Sequence, residues 1–143
     1  MGRMKENIMR KVTARLLIPT IQLFGLYVIA HGELGPGGGF QGGVILGASV
    51  ILFIIAFGLD EGVKRIKQFK TDLLSYAGVL LYAGIGLLCL MFGGNYLQYN
   101  VLPLSDPKFA SQVGIIGIEI GVGVTVAAVM ITIFIETARR DEL

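Results

Sequence analysis

Four long apolar segments dominate this sequence and restrict the folds that are open to it. They cover residues 12–31, 43–59, 73–92 and 113–135. A bilayer core about 30 Å thick is spanned by roughly 20 apolar residues in an α-helix, and a helix satisfies its backbone hydrogen bonds within the segment. We therefore predict an all-α integral membrane protein with four transmembrane helices, forming a single domain over residues 1–143.

A soluble helical bundle is the alternative that the composition argues against. Hydrophobic residues make up 54% of the chain and charged residues only 15%. The helices of a soluble bundle show polar stripes that recur every 3.6 residues, and Val50–Phe57 and Leu80–Leu90 show none. The sequence also has one cysteine and one histidine, which provide no ligand cluster. We expect neither a metal nor a cofactor, and no nucleic-acid partner.

The basic residues are distributed unevenly between the two ends of the predicted helices. Eleven of the twelve Lys and Arg residues lie in the N-terminal segment, the link between the second and third helices, or the C-terminus. Only Lys108 lies in a link on the other side. Because Lys and Arg are retained on the cytoplasmic side, we predict that both termini are cytoplasmic in a multi-pass protein of the cell membrane.

A glycine-rich segment separates the first two predicted helices. Six of the nine residues from 35 to 43 are glycine. Gly37, Gly39 and Gly42 match the spacing of a dinucleotide fingerprint, but that motif requires a preceding strand and a soluble βαβ unit. Two interpretations stay open, a tight re-entrant loop and an ordinary hairpin between helices.

The predicted fourth helix contains a carboxylate, Glu119. A charged side chain at the centre of a membrane helix costs about 2.5–3.5 kcal/mol on insertion scales, so such residues usually face protein or water and are often functional. Glu119 is therefore a candidate for an ion path, carrying protons or sodium. The alternative is a carboxylate that is hydrogen-bonded to a neighbouring subunit and serves assembly alone.

Small residues near Glu119 predict close helix contacts. Gly114, Gly117 and Gly121 share one face of the helix, and Glu119 lies on a roughly opposite face. Small residues allow membrane helices to approach closely, so we expect these three glycines to be packing positions. The glycine face needs a closely packed neighbour and the Glu119 face needs a polar partner. These two requirements favour burial of the helix among other chains.

The single histidine, His31, lies at the outer end of the first predicted helix. An unperturbed imidazole exchanges protons near neutral pH, which makes His31 a second candidate for the ion path. The alternative is that the side chain caps the helix or anchors it at the membrane surface.

The segment from His31 to Gly43 resembles the signature of a known family, the B subunits of multisubunit cation/proton antiporters of the Mrp or Mnh type. The specific part of this resemblance is the run Pro36, Gly37, Gly38, Gly39 and Phe40 followed by Gln41, Gly42 and Gly43. Similar subunits occur in archaeal membrane-bound hydrogenases and related complexes.

The resemblance implies an accessory subunit that works only in a large assembly exchanging sodium and protons. Its partners would be other membrane subunits, including large ones related to those of respiratory complex I. The chain would not be catalytic alone, and any redox module would belong to the whole assembly. Two other classes stay open, a self-sufficient small homodimeric transporter and a purely structural membrane subunit.

Overall fold

A computed structural model describes residues 2–32 and 38–140, with side chains from Asn7 onward. Within these residues, five α-helices and one short 3-10 helix follow one another. They are α1 (Gly2–Ala30), α2 (Gly39–Phe57), α3 (Leu59–Arg65), α4 (Gln68–Met91), the 3-10 helix (Tyr99–Val101) and α5 (Pro107–Arg140). Four of them, α1 from Asn7 onward, α2, α4 and α5, are long and apolar enough to cross a membrane. The predicted all-α membrane fold is confirmed.

The start of α2 differs from the sequence-based expectation. We placed the glycine-rich segment in a loop through Gly43, but α2 begins at Gly39, so Gly39–Gly43 form its first turn. The amide of Gly42 donates a hydrogen bond to the carbonyl of Gly38 at 3.0 Å. That part of the loop prediction is wrong, because contacts with α1 and α5 outweigh the low intrinsic helix propensity of glycine.

The last two spans also begin earlier than the apolar runs. Helix α4 starts at Gln68 and α5 at Pro107, whereas hydropathy placed the starts at residues 73 and 113. Proline is favoured in the first helical position because its missing amide would have no partner there. In addition, Asp106 Oδ1 accepts a hydrogen bond from the Lys108 amide at 3.2 Å. Both helices therefore begin with a partly polar first turn that a hydropathy pattern leaves out.

Helix α5 occupies the centre of the bundle. It packs along α4 on one side and α2 on the other, and α1 packs mainly against α2. Glycine permits the close contact between α4 and α5, since a Cβ atom on Gly78 would lie 2.6 Å from the carbonyl oxygen of Gly121. The spatial order α1–α2–α5–α4 leaves the outward faces of α1 and α4 uncovered.

The end of the bundle that carries α3 is held by a small apolar cluster and a polar network. Ile54 on α2 contacts Ile131 and Ile135 on α5, and all three are buried. Beside them, Gln68 Nε2 donates to Glu136 at 2.8 Å, and Arg139 donates to Gln68 Oε1 at 3.1 Å. These contacts join the start of α4 to the end of α5.

Gly78→Ala should destabilise the protein, because the added methyl group would meet both the Gly121 carbonyl and Thr125. Overpacking of this kind typically costs about 1–3 kcal/mol. Gly84→Ala is the matched control on the same helix, where a Cβ atom meets nothing within 4 Å. Thermal unfolding in detergent should show a lower midpoint for Gly78→Ala only. Equal midpoints for the two variants would contradict the α4–α5 contact.

Candidate ion site at Glu119

The carboxylate of Glu119 lies inside the bundle, against the two ends of the glycine-rich connection. Glu119 is about three turns into α5, and its side chain points towards the junction of α1 and α2. A Cβ atom on Gly32, just after α1, would collide with both carboxylate oxygens. One on Gly38, just before α2, would lie 2.7 Å from Oε1. Only residues without side chains allow the carboxylate to occupy this position.

The first turn of α2 lies directly on the backbone of α5. A Cβ atom on Gly39 would collide with the carbonyl group of Glu119 and lie 2.9 Å from its Cα atom. One turn further along α5, a Cβ atom on Gly123 would lie 3.1 Å from the Gly39 carbonyl oxygen. Gly38 has a φ of 100°, a conformation that side chains disfavour. Glycine is thus required here for close approach and for backbone conformation.

The other residues of the glycine-rich signature have different surroundings. Pro36 and Gly37 lie outside the described residues. Gly42 faces α1, where a Cβ atom would lie 2.8 Å from the Gly25 carbonyl oxygen, and Gly43 faces Gly123. Phe40 and Gln41 are exposed. The glycines therefore face the neighbouring helices, while the two larger side chains are available to lipid or to another subunit.

The side chain of His31 packs against its own helix, α1. Its ring stacks on Tyr27 with the ring centroids 4.0 Å apart, and Nδ1 lies 3.1 Å from the Tyr27 carbonyl oxygen. The side chain is exposed and turned back along α1. His31 is the neighbour in sequence of Gly32, and Gly32 contacts the Glu119 carboxylate.

The three predicted packing glycines of α5 face away from the Glu119 site. Gly121 lies against Gly78 of α4, and a Cβ atom on Gly117 would lie 2.7 Å from Ile85 Cδ1. Gly114 is covered by the ring of Tyr99. Burial raises the pKa of Tyr99 above its ordinary value, so the phenol stays neutral. The two faces of α5 thus have separate roles, packing against α4 and enclosing a carboxylate.

Gly32 also belongs to the Glu119 site, although the sequence did not single it out. It lies within the segment that resembles the family signature but before the specific part that starts at Pro36, and no pattern relates it to α5. Its role follows only from the fold, which brings the end of α1 over Glu119. In the part of the chain with described side chains, no three His, Cys, Asp or Glu residues form a metal-binding group.

These observations define a four-span helical membrane protein with a carboxylate enclosed between its own helices. The comparisons with known proteins identify its family. The family model for domains related to the MnhB subunit of Na⁺/H⁺ antiporters matches residues 9–132. The chain belongs to this MnhB family, as the signature in its sequence indicated.

Relatives of similar length support this membership. Proteins of Staphylococcus aureus strains Newman, JH1 and Mu3 that carry the name antiporter subunit mnhB2 are each 31% identical to this chain over 139 residues. The match covers 92% of this chain and 95% of each relative. The similarity therefore includes all four spans, as well as the glycine-rich segment.

Gly39→Ala should disturb the Glu119 site, because the new methyl group would force α2 away from the α5 backbone. We expect a lower unfolding midpoint and a reduced yield of any complex that contains the chain. The control is Gly84→Ala on α4, which makes the same chemical change at a position where a Cβ atom meets nothing within 4 Å. A Gly39→Ala variant with the stability and yield of the parent protein would show that this contact is not close.

Proposed function

We propose that this chain is an accessory membrane subunit of a multisubunit Na⁺/H⁺ antiporter and that Glu119 is an ion-exchanging group on the transport path. The observation that carries the proposal is the enclosure of the Glu119 carboxylate by Gly32 and Gly38. Family membership supports the first part, and the geometry of the carboxylate supports the second.

The chemistry of a membrane carboxylate suits exchange between sodium and protons. A carboxylate can bind a proton covalently or a sodium ion electrostatically, and both forms reduce the cost of its charge within the bilayer. The contacts with Gly32 and Gly38 place backbone close to the carboxylate. Backbone carbonyl oxygens are suitable ligands for a cation that has lost part of its water.

His31 has a supporting role in this proposal. Its ring is exposed at the end of α1, one residue from the glycine that contacts Glu119. Imidazole exchanges protons readily near neutral pH. We assign His31 to the entrance of the path, where it would pass protons between water and the region of Glu119.

The proposed orientation places the Glu119 site nearer the outer surface. The segment that ends at Arg15, the α3 region and the end of α5 contain nearly all basic residues, and retention of Lys and Arg in the cytoplasm favours these ends there. The connection between α1 and α2 would then face outwards. The proposed partners are further membrane subunits, including large ones of the complex I type, and catalysis would belong to the assembly.

The orientation can be tested with single cysteines introduced into a Cys89→Ala background. Asn100→Cys lies in the connection before α5 and is exposed, as is Lys67→Cys after α3. A membrane-impermeant maleimide should label Asn100→Cys in intact cells and Lys67→Cys only after permeabilisation. The reverse pattern would contradict the proposed orientation.

Replacing the carboxylate tests the function of Glu119. Glu119→Gln keeps the shape of the side chain but can neither bind a proton nor carry a charge. We expect normal assembly and a loss of sodium-dependent proton exchange of roughly tenfold or more, measured with a pH-sensitive dye in everted vesicles that contain the whole complex.

Glu136→Gln is the matched control for this substitution. It makes the same chemical change on the same helix, but at an exposed position in the α3 end of the bundle. The glutamine oxygen can still accept the hydrogen bond from Gln68 Nε2, and the lost ion pair with Arg139 is exposed and weak, so exchange should remain near the parental rate. Normal exchange in assembled Glu119→Gln complexes would remove Glu119 from the path. Loss of assembly with Glu119→Gln, without assembly loss in Glu136→Gln, would assign the carboxylate to subunit contacts.

A further inference from the structure

Three cationic side chains converge on a cavity at the opposite end of the bundle from Glu119. The cavity has a volume of about 430 Å³ and lies between α1, α2 and α3. Lys11 and Arg15 of α1 and Arg65 of α3 line it. Because these residues come from two separate elements, the fold, rather than a local run of basic residues, brings the charges together.

Two aromatic rings form the floor of this cationic cavity. Phe53 and Phe57 stack with ring centroids 4.7 Å apart. The Phe57 centroid lies 5.5 Å from Arg15 Cζ and 5.8 Å from Lys11 Nζ, and Arg65 Cζ lies 5.4 Å from the Phe53 centroid. Cations within about 6 Å of an aromatic ring are attracted to its face, so the rings hold the three charges around one space.

The charge of the cavity lining is positive. Among the described side chains, Glu61 is the one carboxylate that lines it, and Glu61 Oε1 lies 3.8 Å from Arg65 Nε. Among the residues with described side chains, the ion pairs within 4.0 Å involve Arg65 and Arg139. Lys11 and Arg15 therefore remain available to an anionic ligand, and a guanidinium group is well suited to phosphate.

A largely apolar cavity adjoins the cationic one and continues towards the middle of α1 and α2. It has a volume of about 230 Å³ and shares Ile18, Phe53 and Arg65 with the cationic cavity. From there it extends to Gln22 on α1 and Val50 on α2, which lie deeper in the two spans. A cationic space at the membrane surface thus joins a largely apolar groove between two membrane helices.

We propose that this composite site binds an anionic phospholipid. The phosphate group would lie among Lys11, Arg15 and Arg65, and an acyl chain would follow the groove past Ile18 towards Val50. Basic pockets between membrane helices are suited to lipid headgroups, and the adjoining groove explains why a lipid fits better than a free anion. The site is independent of Glu119, so either assignment can fail without the other.

Native mass spectrometry of the full chain in detergent tests the proposal. Dioleoylphosphatidylglycerol should bind more tightly than dioleoylphosphatidylcholine. Each basic residue near a membrane surface is worth about 1 kcal/mol with anionic lipid, or roughly fivefold in affinity. Lys11→Gln/Arg15→Gln should therefore weaken phosphatidylglycerol binding by more than about tenfold. Lys64→Gln/Lys67→Gln removes the same charge from exposed residues outside the cavity lining and should change binding little.

Arg15→Gln alone, expected to weaken binding roughly fivefold, provides the test if the double variant is unstable in a thermal unfolding control. Equal losses in the two double variants would show diffuse surface attraction and overturn the proposal. Equal affinity for the two lipids would also overturn it. Displacement of the lipid by millimolar inorganic phosphate would show a free-anion site and overturn the assignment to a phospholipid.

Discussion

The contact between the Glu119 carboxylate and the glycines that flank the first connection organises this protein. Gly32 and Gly38 lie against the carboxylate, and Gly39 lies against the backbone of the same residue. A side chain at Gly39 would push α2 away from the backbone of α5, and one at Gly32 or Gly38 would displace the carboxylate. Because α1 packs mainly against α2, the position of α1 depends on the same contact. The cost of placing a carboxylate in the membrane is thereby linked to the packing of three helices.

The central position of α5 explains how one helix serves two purposes. Gly117 and Gly121 allow α4 to approach one face, while Glu119 and Gly123 face the α1–α2 pair. In contrast, the outward sides of α1 and α4 carry exposed apolar residues such as Leu16 and Leu80. A bundle with uncovered outer helices suits an accessory subunit that is surrounded by lipid and by other membrane chains.

The sequence predicts the four spans because length and hydropathy alone decide whether a segment can cross a bilayer. The helical period also places Glu119 on a different face of α5 from Gly117 and Gly121. In the structure, the two glycines face α4 and Glu119 faces the α1–α2 pair. The helical start of α2 at Gly39 could not be predicted, because glycine disfavours helices locally and only contacts with other helices reverse that preference. The role of Gly32 depends on a long-range approach between α1 and α5 that no local pattern encodes.

The proposed role of Glu119 requires this chain to be one subunit of a larger ion-exchanging assembly. Purification in mild detergent from its own membranes, followed by mass spectrometry of all chains in the monodisperse peak, tests this directly. We expect several larger membrane proteins in fixed ratio with this chain. A peak that contains only this chain as a dimer, and that exchanges ions after reconstitution, would contradict it and identify a self-sufficient transporter.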